Sequence, residues 1–205
     1  MALEVIGDPI LLSLVRLTGV RDIVAFYLGA VIGDIQRFKR AKSLVKYLGL
    51  DPAFDDSGNE QWSGGIGGHG HKMMRSVLMQ SAQCILRTDS PLAKWGRQLM
   101  ARKGSHNLSA AAVARKLTVS IWYLLQGKDE SIECIERSMT LKLGKIISKV
   151  GAQKMKEMGT NRKQLRQQME YIILKGRVYS VEPNQTSRPE RSSKMTTLAE
   201  EYGLP

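Results

Sequence analysis

Cysteine is scarce in this chain. Of 205 residues only Cys84 and Cys134 carry thiols, too few for a disulfide framework and in keeping with a reducing compartment. No apolar run approaches the ~18 residues of a membrane-crossing helix, so a bilayer span is not expected. The first residues carry Glu4 and Asp8 where a secretory leader would carry Lys or Arg, which argues against export and for a cytoplasmic protein. Strand-like alternation is almost missing. Acid is in short supply as well: 19 Asp and Glu stand against 31 Lys and Arg, a net charge of +12. What is present, 42% hydrophobic and 24% charged residues, is the composition of a folded chain and not of a disordered one. The length suits one domain with extensions or two small ones.

An excess of cations on this scale favours polyanionic partners, nucleic acid first and an anionic membrane surface second. The excess is unevenly distributed. Residues 64–128 hold ten bases and a single acid, Asp89, while residues 51–63 hold four acids and no base. A basic middle beside a short acidic segment reads as a sited surface. Membrane binding has little support, because no single helix joins a wide apolar face to a Lys-rich rim.

Periodicity predicts an all-α fold. Leu11 to Leu17 is helix-compatible and closes at Thr18-Gly19; a second helix runs from Asp22 to Ile32, and a third, amphipathic, from Ala41 to Leu48. Residues 51–71 contain six glycines (58, 64, 65, 67, 68 and 70) and read as a long Gly-rich loop. Helices follow from His71 or Lys72 to Arg87, from Pro91 to Lys103, and over 109–126, with Pro91 at a first helical position. Residues 129–158 read as one or two helices, 160–175 as another and 176–182 as a short strand. From Pro183 the chain is polar and reads as a flexible tail. The expected organisation is a domain over 1–128, a helical extension over 129–182 and a tail over 183–205.

Two constellations bear on chemistry. Leu14-x-x-Leu17-Thr18-Gly19-Val20 followed by Ala25 resembles a helix-hairpin-helix. A turn glycine lets backbone approach a phosphate, and the second helix aims its N-terminal N–H groups and dipole at the anion. Arg21 stands where a second glycine is usual. Such a grip holds a sugar–phosphate backbone and reads no sequence. The second constellation is Ser57-Gly58 ahead of Gly64-Gly65-Ile66-Gly67-Gly68-His69-Gly70, with Lys72 and Arg75 one turn apart on the following helix. A serine acts as a nucleophile only with help in losing its proton or in stabilising what it attacks, and here the helpers are loop amides and neighbouring cations. Gly65-x-Gly67-x-x-Gly70 lacks the preceding strand of a dinucleotide site. His69-x-His71 has no partner pair for a metal, and the scattered carboxylates do not form a two-metal nuclease.

Ala110 to Leu117 adds a small-residue packing helix with Arg115 and Lys116. The ordered series of Gly33-Asp34-Ile35-x-Arg37-Phe38, Tyr47-Leu48-Gly49-Leu50-x-Pro52, Ser57-Gly58, Gly65-Ile66-x-x-x-Gly70, Arg75 and Ala112-x-Ala114-Arg115-Lys116-Leu117 resembles the C-terminal domain of the DEDD-type, Piv-invertase-like insertion-sequence transposases, family one hundred and ten. The likeness covers about residues 14–128. It implies a DNA recombinase part whose serine, Ser57 by position, attacks a DNA phosphate and holds a covalent intermediate. Gly19, Arg21, Gly58, Lys72, Arg75, Arg115 and Lys116 would then meet DNA.

The resemblance also implies a RuvC-like N-terminal domain, which is expected to be missing here because the helix-hairpin-helix follows Met1 so closely. The expectation is therefore a truncated or split product that works with a RuvC-like nuclease partner or as a homo-oligomer, with a guide RNA in some members, and that is not active alone. No cofactor or metal is expected in this chain, and Mg²⁺ only with the RuvC-like domain. Gly68 replaces a usual Lys, and Asp55 and Asp56 set negative charge beside Ser57, which repels phosphate. The competing readings are a non-catalytic DNA- or RNA-binding helical module, and an unrelated helical protein whose charge serves solubility.

Overall fold

The computed structural model describes residues 1–57, 60–67, 69–128 and 136–175. Gly58, the strand expected at 176–182 and the tail expected at 183–205 lie outside the described residues.

Ten α-helices and one two-stranded hairpin succeed one another among the described residues. α1 (Ala2–Gly7) and α2 (Pro9–Leu14) meet at Asp8, whose carboxylate accepts from the amides of Ile10 and Leu11 and starts α2 at Pro9. α3 (Asp22–Ile32) ends at Gly33, and a short 3₁₀ turn (Ile35–Arg37) leads to α4 (Ala41–Tyr47). After β1 (Pro52–Ser57) and β2 (Glu60–Ile66) come α5 (Lys72–Leu86), α6 (Pro91–Lys103) and α7 (His106–Leu125). α8 (Glu136–Val150), α9 (Ala152–Glu157) and α10 (Arg162–Lys175) close the described part. The helix starts are chemically marked. His71 Nδ1 accepts from Met74 N at 3.3 Å, Ser90 Oγ from Ala93 N at 3.2 Å, and Ser105 Oγ from Leu108 N at 3.3 Å.

α7 is the central helix. Ala110, Val113, Ala114, Leu117 and Ile121 are fully or almost fully buried, and the helix packs against α4, α5 and α6. Its length and apolarity would also suit a membrane span, but Arg115 and Lys116 interrupt it midway and its apolar side is core. Small residues bring the helices together. A Cβ on Gly96 would lie 2.6 Å from side-chain atoms of both Leu86 and Val113, so α6 crosses α5 and α7 closer than any other residue allows.

The series Arg37-Phe38 and Tyr47 proves to be a structural clamp. The Arg37 guanidinium lies 4.6 Å from the Phe38 ring centroid and 4.5 Å from that of Tyr47. Arg37 Nη2 and Tyr47 Oη both donate to the carbonyl of Val31, in the last turn of α3. Trp122 of α7 closes the arrangement by donating from Nε1 to Phe38 O at 2.9 Å.

The long loop expected over 51–71 is corrected. Most of it is an antiparallel hairpin, paired Phe54 with Ser63, Asp55 with Trp62, Asp56 with Gln61 and Ser57 with Glu60, with a one-residue bulge toward Pro52 and Ile66. Each strand glycine costs only ~0.5–1 kcal/mol. Phe54, Trp62 and Ile66 favour extended backbone, and the pairing is secured from outside at its root. Helices α8 and α10 are integrated with the rest: α8 packs on α1, α10 on α2, and their buried residues continue the same hydrophobic core.

Candidate functional site

Two places in the fold carry the residues expected to do chemistry, and both border α5. The first is the root of the β1–β2 hairpin. The chain enters it at Gly49 and Leu50 and leaves it through His69 and Gly70. Gly67 N donates to Asp51 O at 2.9 Å, and His71 N to Tyr47 O at 3.0 Å. Gly49 and Gly70 have φ of +76° and +86° and touch back to back: a Cβ on Gly70 would fall 2.5 Å from Gly49 Cα.

Arg75 reaches from α5 to this crossing, donating from Nε to Gly49 O at 2.7 Å and from Nη2 to His69 O at 2.6 Å. Arg115 reaches it from α7, donating from Nε to Leu50 O at 2.6 Å. Burial lowers the pKa of the Arg115 guanidinium, and the charge of Asp51 works against that shift. Lys72, the first residue of α5, is exposed. Ser57 ends β1, five residues out from Pro52, or ~16 Å at strand spacing.

The second place is the turn between α2 and α3. Gly19 has φ +83°, and a Cβ there would lie 2.6 Å from Ile85 Cγ1 and 3.0 Å from Ser81 O. The bare backbone of Gly19 faces α5. Arg21 is exposed just before α3, while Asp22 opens α3 at 2% exposure and is ion-paired with Lys149 of α8. A carboxylate in the first turn meets the helix dipole where a phosphate was expected. Lys142 of α8 donates from Nζ to Val15 O and Leu17 O, both at 2.7 Å, and so ties down the turn itself.

The structure thus brings Arg75 and Arg115 together, with Lys72 one turn before Arg75. It separates them from Gly19 and Arg21, because Ile85 lies ten residues beyond Arg75 on α5, ~15 Å along the helix. Lys116 turns the other way and lies 4.2 Å from the ring centroid of Trp95 on α6.

The sequence marks 160–175 as strongly basic at its start, but a count over 129–158 hides the basic character of α8 and α9. Residues 136–175 hold ten bases against three acids, a net +7, which the acids Asp129, Glu130 and Glu133 mask in a count over 129–158. Lys145, Lys156, Arg162 and Lys163 are exposed there, and Arg162 Nη2 lies 3.5 Å from Ser148 Oγ, which joins the start of α10 to α8. Ending the count at the start of α8 would have revealed it. No group of three or more His, Cys, Asp or Glu placed to hold a metal ion occurs among the described residues.

The described residues thus form a helical domain with a glycine-braced hairpin, a serine at the strand end and an excess of cations over the whole sequence. Residues 13–95, from the end of α2 into α6, match the model of the Transposase IS116/IS110/IS902 family. The chain is 34% identical over 121 residues to the transposase for insertion sequence element IS1111A of Coxiella burnetii, covering 57% of this chain and 32% of that protein. It is 29% identical over 124 residues to a probable family 20 transposase of Pseudomonas aeruginosa, covering 58% of this chain and 36% of that protein. The chain therefore spans about a third of the length of these curated relatives. No solved structure matches.

Proposed function

We propose that this chain is the DNA-binding, serine-bearing part of an insertion-sequence transposase. The observation that carries the reading is the family match over 13–95, which includes the α2–α3 turn, the whole hairpin and Arg75. The charge of +12 supports a polyanionic partner. In the proposed step the Ser57 oxygen attacks a DNA phosphorus. The new ester forms as the bond to one deoxyribose oxygen breaks, and that oxygen takes up the proton as the strand leaves. Reversal with another strand hydroxyl rejoins DNA without a nucleotide cofactor, because the ester keeps the bond energy. Mg²⁺ chemistry belongs in this reading to a RuvC-like partner domain, supplied by another chain or by another part of a longer protein. A guide RNA and self-association are further partners of the proposed assembly.

A second reading, a non-catalytic DNA- or RNA-binding module, draws on two observations. Arg75 and Arg115 are engaged with backbone carbonyls, and residues 51–63 carry four acids and no base. The test is a covalent protein–DNA adduct formed on element-end DNA with Mg²⁺ and a RuvC-like partner in trans. The transposase reading expects the adduct with the native chain and its loss in Ser57→Ala while DNA binding persists. Binding without any adduct supports the module, and an adduct that survives Ser57→Ala removes that serine from the step.

A further inference from the structure

The two arginines at the hairpin root have a different use from the phosphate contacts expected of them. Three consecutive facts of geometry bear on this. The hairpin leaves and re-enters the helical body through one crossing, where Gly49 and Gly70 touch with no room for a side chain. At that crossing the carbonyls of Gly49, Leu50 and His69 receive bonds of 2.6–2.7 Å from Arg75 and Arg115. The donors come from two different helices, α5 and α7, which pack against each other in the core. A guanidinium fork fixes direction as well as distance, because its N–H groups lie in one plane.

We propose that Arg75 and Arg115 are positioning residues: a two-armed clamp that ties both ends of the β1–β2 hairpin to the α5–α7 pair and so fixes the direction in which the strands carry Ser57. The role in strand exchange rests on the reading above; the clamp itself does not. With Nε of both arginines and Nη2 of Arg75 already donating to backbone, neither side chain has its full fork for a phosphate. The clamp acts at the root, and six residues of strand transmit it to the serine. A small rotation at the crossing is magnified at the far end, and a displacement of about 1 Å at a reacting atom is enough to lose ~10²-fold in rate.

The experiment compares the full-length native chain with Arg75→Gln, Arg115→Gln and Gly70→Ala. Gly70→Ala forces the crossing apart and changes no charge. Amide hydrogen exchange on the free protein reads the clamp at Gly67 N–H and His71 N–H, with α7 amides as the internal reference. The clamp predicts exchange at the root at least about tenfold faster in all three variants, with α7 unchanged. Binding to duplex DNA across a salt series reads phosphate contacts. The clamp predicts an unaltered slope of log affinity against log salt, whereas a lost phosphate contact reduces it by about 1. Adduct yield should fall tenfold or more with DNA affinity retained.

Unchanged exchange at the root overturns the proposal, as does a slope that falls by about 1 in each arginine variant. If a glutamine variant does not fold, Gly70→Ala decides: a native adduct yield with a loosened root refutes positioning. A native chain that forms no adduct sinks the strand-exchange reading, while the exchange data still decide whether the clamp exists.

Discussion

Gly96 and Gly33 show that one residue type answers to two different constraints. Gly96 sits at a helix crossing, where an added methyl would meet Leu86 and Val113 at 2.6 Å. Gly33 ends α3 with φ +59° and has nothing within 4 Å of the missing Cβ. Gly96→Ala should therefore destabilise by ~1–3 kcal/mol through overpacking, and Gly33→Ala by ~1 kcal/mol through backbone strain alone. Urea midpoints of the two variants measure the difference, and equal shifts would contradict the packing account. Asp22 makes a sharper case. It is almost fully buried and its cation is Lys149, so Lys149→Met leaves a carboxylate enclosed without its partner. Lys149 is itself 42% exposed on its side chain, and water lessens the penalty, so the expected loss is ~1–2 kcal/mol. A urea midpoint at the native value would show that the pair contributes nothing.

At the scale of elements, the α2–α3 turn is fastened from two sides. Gly19 lets it press against Ser81 and Ile85 of α5, and Lys142 binds the carbonyls of Val15 and Leu17 from α8. Gly19→Ala combines a disfavoured φ with a contact of 2.6 Å, and should cost ~1–3 kcal/mol. Because the bare face of Gly19 meets protein, the same variant should leave the salt slope of DNA binding as it was. A drop of about 1 in that slope would return the turn to the phosphate. α3 is held at its other end by Arg37 and Tyr47, both donating to Val31 O. Arg37 is exposed, so Arg37→Ala should remove only ~0.5–1 kcal/mol of cation–π stabilisation, readable as a small shift of the thermal midpoint.

For the whole molecule, the C-terminal helices are part of the fold and not an appendage. Met139, Leu143, Ile146, Ile147, Val150, Met155, Leu165, Met169 and Ile173 are buried in the common core. A fragment ending at residue 128 loses all nine, at ~1.5–3 kcal/mol of burial for each large side chain. Even after the ordering entropy that the lost helices no longer cost is set against it, that loss is large beside the 5–15 kcal/mol by which domains are usually stable, so the fragment should unfold at a much lower temperature, or without a cooperative transition, by circular dichroism. A sharp transition near that of the full chain would refute the integration. The same helices carry a net +7 over 136–175. Replacing Lys145, Lys156 and Lys163 with Gln should weaken duplex binding at low salt and flatten its salt dependence. Identical binding curves would confine the interface to the earlier helices.

The helices were legible because a 3.6-residue period and marked ends suffice to define them. Asp22 to Ile32 appears in the structure with the boundaries read from the sequence, and Pro91 stands where a first helical residue belongs. The hairpin was hidden by composition, since glycines lower strand propensity while the pairing that overrides them, from Ser57 and Glu60 to Pro52 and Ile66, is a tertiary fact; the Gly58-Asn59 pair between strand formers was the available signal. The charge of +12, the helical class and the ordered series that ends in Arg115 and Lys116 were fixed by the order of residues alone. What each cation does was not, because an arginine on a helix surface looks the same whether it faces solvent, a phosphate or a carbonyl. Only folding brought Gly49, Leu50 and His69 within reach of Arg75 and Arg115, across as many as 65 residues of sequence, and carbonyls with no partner in a helix or strand ladder take the donors that are near.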